Sequence, residues 1–116
     1  MNTVESRSLA VASRLRLARE QAGLSQGQVA KMLNLHRPSI SEMEAGRRKV
    51  SAQEIKKLAE IYDVKVSWLA CEDSDEPDPD QDRIQLAARE LAKLKQEDLE
   101  RVLQLLSALR QKEGNN

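Results

Sequence analysis

A short segment, residues 37–42, carries a guanidinium, two hydroxyls and a carboxylate within two turns of a helix. Ile40 and Met43 are three residues apart and must turn toward a core. The positions left on the outside are Arg37, Pro38, Ser41 and Glu42. Arginine can donate two hydrogen bonds to guanine O6 and N7, glutamate can accept one from the cytosine N4 amine, and proline offers only apolar contact, for example to a thymine methyl. The pattern favours reading of base edges. The alternative is that Arg37 meets only phosphate and Glu42 is solvated.

A second set of polar residues has the chemistry of phosphate contacts. Three consecutive cations, Arg47, Arg48 and Lys49, follow this helix directly. Gln26 lies in the first turn of the preceding helix, where unpaired backbone N–H groups favour an anion. Gln28 and Ser39 are further candidates. Each contact with a DNA phosphate steepens the slope of the logarithm of the binding constant against the logarithm of the salt concentration by about 0.9.

The sequence does not show the groups of residues that a catalytic site needs. His36 and Cys71 are the single histidine and the single cysteine, and no carboxylate or glycine constellation surrounds them. Acid–base, thiol and phosphate-loop catalysis are therefore unsupported, and so is a zinc site built on several cysteines. We expect no enzyme activity, no metal and no cofactor. His36 fits a helix cap or a phosphate neighbour better than a pH sensor.

Two short helices must position these side chains. The first begins at Ser25, with Gln28 three residues later as in a capping box, and buries Val29, Ala30 and Leu33. The turn, residues 34–36, breaks the pattern. The second helix begins near Arg37, with Pro38 tolerated in its first turn, and ends at Gly46. Two helices joined by so short a turn are the layout that sets one helix into a DNA major groove.

These residues resemble the helix-turn-helix domain of the Cro and lambda-repressor family, also called the XRE family. The residues in register are Leu24, Ser25, Gln26, Ala30, Leu33, Ile40, Ser41, Glu44 and Gly46. The later run from Val64 to Leu69, VKVSWL, is similar to the family's closing helix. The resemblance covers about residues 8–71. It implies a five-helix DNA-binding domain, a Gln26 that binds the DNA backbone or buttresses a base-reading neighbour, and a structural ion pair between Arg19 and Glu44. Ala45 and His36 depart from the family's usual Asn and Ser or Thr.

The remaining pattern predicts an all-α chain. Helix one is expected over about residues 8–22, with Val11, Leu15, Ala18 and Ala22 on one face. Ser51, with Glu54 three residues later, predicts a second capping box at the start of a fourth helix that buries Ile55, Leu58, Ala59 and Tyr62. Ser67 is expected to cap a short fifth helix. There is no strand-like alternation of useful length.

Charge divides the chain near Cys71. The net charge is zero, but residues 1–71 carry +5 and residues 72–116 carry −5. The basic part, 1–71, is the predicted DNA-binding domain. The segment 72–82 has seven acids and two prolines in eleven residues, which predicts an extended linker.

Residues 83–112 return to a helical pattern, followed by a tail at 113–116. Leu94 and Leu99 are five residues apart, so we expect either two helices or one kinked helix, with the change near residues 95–98. The aliphatic positions assigned to dimerisation are Ile84, Leu91, Leu94, Leu99, Val102, Leu106 and Leu109. A second copy of the chain is the simplest partner for this stripe. Packing against residues 1–71, or against another protein, are the alternatives.

These observations predict a homodimeric repressor, of the phage-like or XRE type, that binds a two-fold symmetric site on double-stranded DNA. The lone cysteine, the absence of a secretory pattern and the lack of a long apolar run predict a reduced, cytoplasmic protein away from membranes. The main rival is an antitoxin or a regulator partnered with a peptidase, whose C-terminal segment binds another protein. A controller protein of restriction–modification genes is a third possibility.

Overall fold

A computed structural model describes residues 3–73 and 78–114 of the chain. Within those ranges the secondary structure is entirely α-helical, as the sequence predicted. The helices are α1 Thr3–Gln21, α2 Gln26–Met32, α3 Arg37–Glu44, α4 Ala52–Tyr62, α5 Val66–Leu69, α6 Pro79–Ala92 and α7 Gln96–Gly114.

Both predicted capping boxes are confirmed. The Ser25 hydroxyl accepts from the Gln28 backbone N–H at 3.0 Å, and the Gln28 side chain accepts from the Ser25 N–H at 2.8 Å. Ser51 and Glu54 repeat this exchange at the start of α4, at 3.1 and 2.9 Å. Each box satisfies two backbone donors that the first turn of a helix leaves unpaired, which fixes where α2 and α4 begin.

The ends of α2 and α3 depend on residues in the left-handed region. Asn34 (φ 57°) follows α2, and the Leu35 N–H then reaches back to the Ala30 carbonyl at 2.8 Å. Gly46 (φ 76°) follows α3, and the Arg47 N–H reaches the Glu42 carbonyl at 3.0 Å. These reverse-turn bonds end a helix sharply. They set the short turn between α2 and α3. They also set the direction of the loop after α3 that carries Arg47, Arg48 and Lys49, called the basic loop below.

One apolar core is built from the first five helices. Its buried members are Leu15, Ala18, Val29, Ala30, Ile40, Met43, Ile55, Leu58, Ala59, Tyr62 and Leu69. Val11 and Leu33 are partly buried against them. Ala22, expected on the buried face of α1, is instead exposed because α1 ends at Gln21. The core holds α3 by its inner side, so its other side is available.

Several boundaries differ from those predicted. Helix α1 begins at Thr3, five residues earlier than expected, and α7 continues through residues 113 and 114. Helix α5 begins at Val66, so Ser67 lies inside it and the N-cap is Lys65. Helix α6 begins at Pro79, inside the segment assigned to the linker, because proline suits the first turn of a helix and Asp80 and Asp82 favour its N-terminus. The last four residues of the segment assigned to the linker, 79–82, are therefore helical. Residues 74–77 of that segment and residues 115–116 of the tail lie outside the described part of the chain.

The chain divides into two compact units, Met1–Arg83 and Ile84–Asn116. Of the two C-terminal arrangements expected, two helices are observed, separated at residues 93–95. The positions assigned to dimerisation are exposed at Ile84, Leu94, Leu106 and Leu109, and half-buried at Leu91, Leu99 and Val102. Helix α7 also exposes Leu103 and Leu105.

Candidate nucleic-acid interface

Helix α3 has one buried side and one accessible side. Ile40 and Met43 are each 2% exposed and belong to the core. Of the four residues predicted to read bases, Arg37 and Pro38 are exposed and Ser41 and Glu42 are half-exposed. His36 occupies the N-cap position, without a side-chain capping bond. The polar groups of α3 therefore lie where a ligand can reach them.

A polar cleft of about 630 Å³ lies beside these groups. It is lined by Arg16, Arg19, Ser25, Gln26, Gly27, Arg37, Ser41, Glu44 and Ala45. Three of the residues predicted to contact DNA, Gln26, Arg37 and Ser41, therefore line the same cleft. Arg16 was missed by the sequence interpretation, although its position three residues before Arg19 places both on the same face of α1. Guanidinium, amide and hydroxyl groups in one cleft are suited to binding the phosphates and base edges of DNA.

An ion pair joins the end of α1 to the end of α3 beside this cleft. Arg19 Nε and Nη2 donate to the two carboxylate oxygens of Glu44 at 2.7 and 3.0 Å, and Arg19 Nη1 donates to the Leu24 carbonyl at 2.9 Å. The bond from Arg19 to Glu44 raises the pKa of Arg19. The Gln26 amide nitrogen also donates to Glu44, at 3.1 Å. This network holds the Gln26 side chain against Glu44, and both residues line the cleft.

Glu42 and Arg47 bind each other. Arg47 Nε and Nη2 lie 2.7 and 3.0 Å from the Glu42 carboxylate oxygens. This bond lowers the pKa of Glu42 and raises that of Arg47. The sequence interpretation had placed Glu42 on a base and Arg47 on a phosphate, independently. The structure joins them in an exposed pair, so any contact of one with DNA involves the other.

The rest of the basic loop lines a second polar cleft, of about 420 Å³, together with Ser51, Gln53 and Lys57. Arg48 lies 3.1 Å from Glu54, and Lys49 is exposed. Burial raises the pKa of Glu54, but the bonds from Ser51 and Arg48 lower it by more. The pKa of Glu54 is therefore below its usual range. Of the three cations predicted to contact phosphate, Arg47 is paired with Glu42, Arg48 is paired with Glu54, and Lys49 is exposed.

The other two phosphate candidates do not line the first cleft. Gln28 is exposed, and its carbonyl oxygen is occupied by the capping box. Ser39 is half-exposed in the first turn of α3.

A buried arginine in the unit Met1–Arg83 was not found from the sequence. Arg14, 1% exposed, binds Asp82 through Nε at 3.0 Å and Nη2 at 2.9 Å, and Asp73 through Nη1 at 2.6 Å. Its Nη1 also donates to the Trp68 carbonyl, and its guanidinium lies 4.8 Å from the centre of the Trp68 ring. Arg14 thereby joins α1 to the chain that follows α5. Its partners are 54 to 68 residues away, and no local pattern indicates them.

Two other kinds of site are absent from residues 3–73 and 78–114. No helix there has the length and apolar character needed to cross a bilayer. No group of three or more histidine, cysteine or acidic residues in that part of the chain is arranged to hold a metal.

Comparison with known proteins identifies the region that contains the cleft. Residues 15–69 match the family model described as helix-turn-helix. This span contains the last seven residues of α1 and all of α2 to α5. No curated protein matches the chain.

Proposed function

We propose that this chain is a homodimeric repressor of a two-fold symmetric operator. Residues 15–69 are a helix-turn-helix domain of the Cro/lambda-repressor type, and the chain is therefore a DNA-binding transcription regulator. The observation that carries the DNA-reading part is the two-sided character of α3. Its inner side is anchored by Ile40 and Met43, while Arg37 and Ser41 line an open polar cleft. We further propose that it acts in the compartment that holds the chromosome.

In this proposal α3 enters the major groove. Arg37 donates two hydrogen bonds to a guanine, Ser41 and Pro38 contact neighbouring base edges, and Glu42 accepts from a cytosine amine while Arg47 holds it. Phosphates on either side are bound by Gln26 and by the cations of the basic loop. Gln28 and Ser39 are secondary contacts. The +5 charge of residues 1–71 supports DNA binding, since it attracts the DNA backbone.

Selection of duplexes from a random pool by the full chain tests the proposal. We expect an inverted repeat whose half-sites lie about one helical turn, or 34 Å, apart. An asymmetric single site would contradict the two-fold arrangement, and no enrichment at low salt would contradict DNA reading itself. The phosphate contacts are tested with Lys49→Ala, which should reduce the log–log salt slope by about 0.9 per chain. Lys65→Ala, an exposed lysine outside both polar clefts, is the control.

The dimer is supported by the leucines of α7. Leu103, Leu105, Leu106 and Leu109 are each more than half exposed. A cluster of large apolar side chains on one helix is costly in water and favours association. We expect Leu106→Gln with Leu109→Gln to convert a dimer to a monomer in sedimentation equilibrium. Ala108→Gln, on the same helix and also exposed, should remain dimeric. A wild-type monomer at micromolar concentration would contradict the homodimer.

The direction of regulation has its own test. Transcription in vitro from a promoter that overlaps the selected operator should fall as the chain is added, since bound protein excludes polymerase. A rise in transcript from that template would show activation.

A second candidate function rests on the same exposed leucines and on the −5 charge of residues 72–116. In this alternative the C-terminal segment binds another protein, a toxin or a regulatory peptidase. It is favoured over the homodimer if the wild type is monomeric and the paired Leu106 and Leu109 changes leave DNA affinity unaltered.

A further inference from the structure

An apolar cavity of about 560 Å³ lies within the DNA-binding unit. It is separate from the cleft beside α3, and it shares Arg48 and Lys49 with the second polar cleft. It lies between the N-terminal half of α1, the loop after α3 and the start of α4. Its apolar lining consists of Val11, Met43, Val50, Ala52, Ile55 and Ala70. A cavity of this size and character falls within the range of about 300–1,000 Å³ that binds small molecules.

The polar part of the lining is cationic. Arg7, Arg48 and Lys49 contribute to it, with Ser8, and none of the described residues that line it is acidic. Arg7 and Lys49 are exposed, whereas Arg48 is engaged by Glu54. A ligand that fits needs an apolar body for the base of the cavity and a negative group for its rim. A negative group at the rim keeps its contact with water, which avoids the cost of burying a charge.

We propose that this cavity binds a small amphipathic carboxylate, with its chain against Val11, Val50 and Ile55 and its carboxylate between Arg7 and Lys49. Binding would draw Lys49 away from the DNA phosphates and so weaken operator affinity. This coupling rests on the proposed function, whereas binding to the DNA-free protein does not. The ligand would then act as an inducer.

Calorimetric titration of the DNA-free full chain tests the binding. The probe is decanoate, kept below the concentration at which it forms micelles. Decanol and decyltrimethylammonium have the same chain with a neutral or a positive head group. We expect decanoate to bind one per chain, decanol about tenfold more weakly, and the cation not measurably. Equal affinity for all three would overturn the assignment of the cationic rim.

Three variants locate the site. Arg7→Gln should weaken decanoate binding about tenfold, and Lys56→Gln, which removes an exposed lysine outside the lining, should not change it. Ala52→Leu should fill the cavity and abolish binding of both decanoate and decanol. If Ala52→Leu does not fold, the comparison of Arg7→Gln with Lys56→Gln still decides. Unchanged decanoate affinity in Arg7→Gln overturns the proposal. An absence of decanoate binding combined with an altered oligomeric mass in Ala52→Leu also overturns it, and assigns the cavity to a second copy of the chain.

The coupling is measured separately, as operator affinity with and without saturating decanoate. We expect a loss that Ala52→Leu no longer shows. Binding without any loss of operator affinity keeps the site but removes its role as a switch. A chain that binds decanoate and ignores DNA refutes the proposed function and leaves the site standing.

Discussion

At the scale of single residues, the pair formed by Glu42 and Arg47 governs the charge that α3 presents. A lone carboxylate on this face would repel the phosphates on both sides of a groove, and the guanidinium of Arg47 offsets it at 2.7 Å. In the proposed complex with DNA, Arg47 therefore has a second role besides attracting phosphate, because its charge offsets that of Glu42.

A double-mutant cycle tests this role. Arg47→Gln should weaken operator binding, and adding Glu42→Gln should restore part of the loss, since the uncompensated charge is then gone. Affinities are measured by fluorescence anisotropy on the selected operator. Strictly additive effects of the two changes would show that the pair does not act as a unit on DNA.

Arg14 shows how a buried charge is kept stable within the domain. Its carboxylate partner Asp82 is only 3% exposed at the side chain, so removing that carboxylate leaves a guanidinium underpaired in the interior. We expect Asp82→Ala to lower the free energy of unfolding by about 3 kcal/mol. Asp80→Ala removes an exposed carboxylate from the same turn of α6, and should cost roughly 0.5 kcal/mol or less. Equal losses in urea denaturation would contradict the buried role of Arg14.

The other partner of Arg14 predicts a dependence of stability on pH. The bond from Arg14 holds the pKa of Asp73 below its usual value. A carboxylate with a lowered pKa in the folded state stabilises fully above its unfolded pKa of about 3.9, and the contribution is lost as pH falls through the folded value. Urea denaturation at pH 5 and pH 3 should therefore show a smaller loss for Asp73→Asn than for the wild type. Identical losses would contradict the assignment.

At the scale of helices, local signals carried most of the fold. The capping residues Ser25 and Ser51 and the glycine after α3 were recognisable because they act on neighbours within a few residues. The apolar stripes of α1 to α4 were recognisable because helical periodicity is itself local. Arg14 was not, because its partners are brought to it only by the tertiary fold. The pairing of Glu42 with Arg47 was missed for another reason, since a five-residue separation becomes a contact only when Gly46 turns the chain back.

Substitutions at two glycines distinguish an effect on stability alone from an effect on stability and operator affinity. Gly23 and Gly46 both have φ near 75°, which costs other residues about 1 kcal/mol. A Cβ on Gly23 meets nothing within 4 Å, whereas one on Gly46 lies 3.0 Å from Leu9 Cδ2. We expect Gly23→Ala to lower the melting temperature only. Gly46→Ala should lower both melting temperature and operator affinity, since it shifts the basic loop. Unchanged affinity in folded Gly46→Ala would show that the loop position does not matter.

At the scale of the whole molecule, the two halves have opposite charge and different surfaces. The basic half contains the helix-turn-helix domain and both polar clefts. The acidic half exposes the leucines of α7. The sequence indicated this division through its charge. It did not indicate the start of α6, because seven acids and two prolines suit an extended chain as well as the first turn of a helix.

The central claim is that the outer side of α3 reads base pairs, and it is tested most directly by parallel duplex selection with the wild type and Arg37→Ala. We expect Arg37→Ala to lose preference at one base pair in each half-site and about 1 to 3 kcal/mol of affinity for the wild-type operator, while its binding to random DNA changes little. If Arg37→Ala selects the same sequence as the wild type with undiminished preference at every position, Arg37 does not read a base and the account of α3 is wrong.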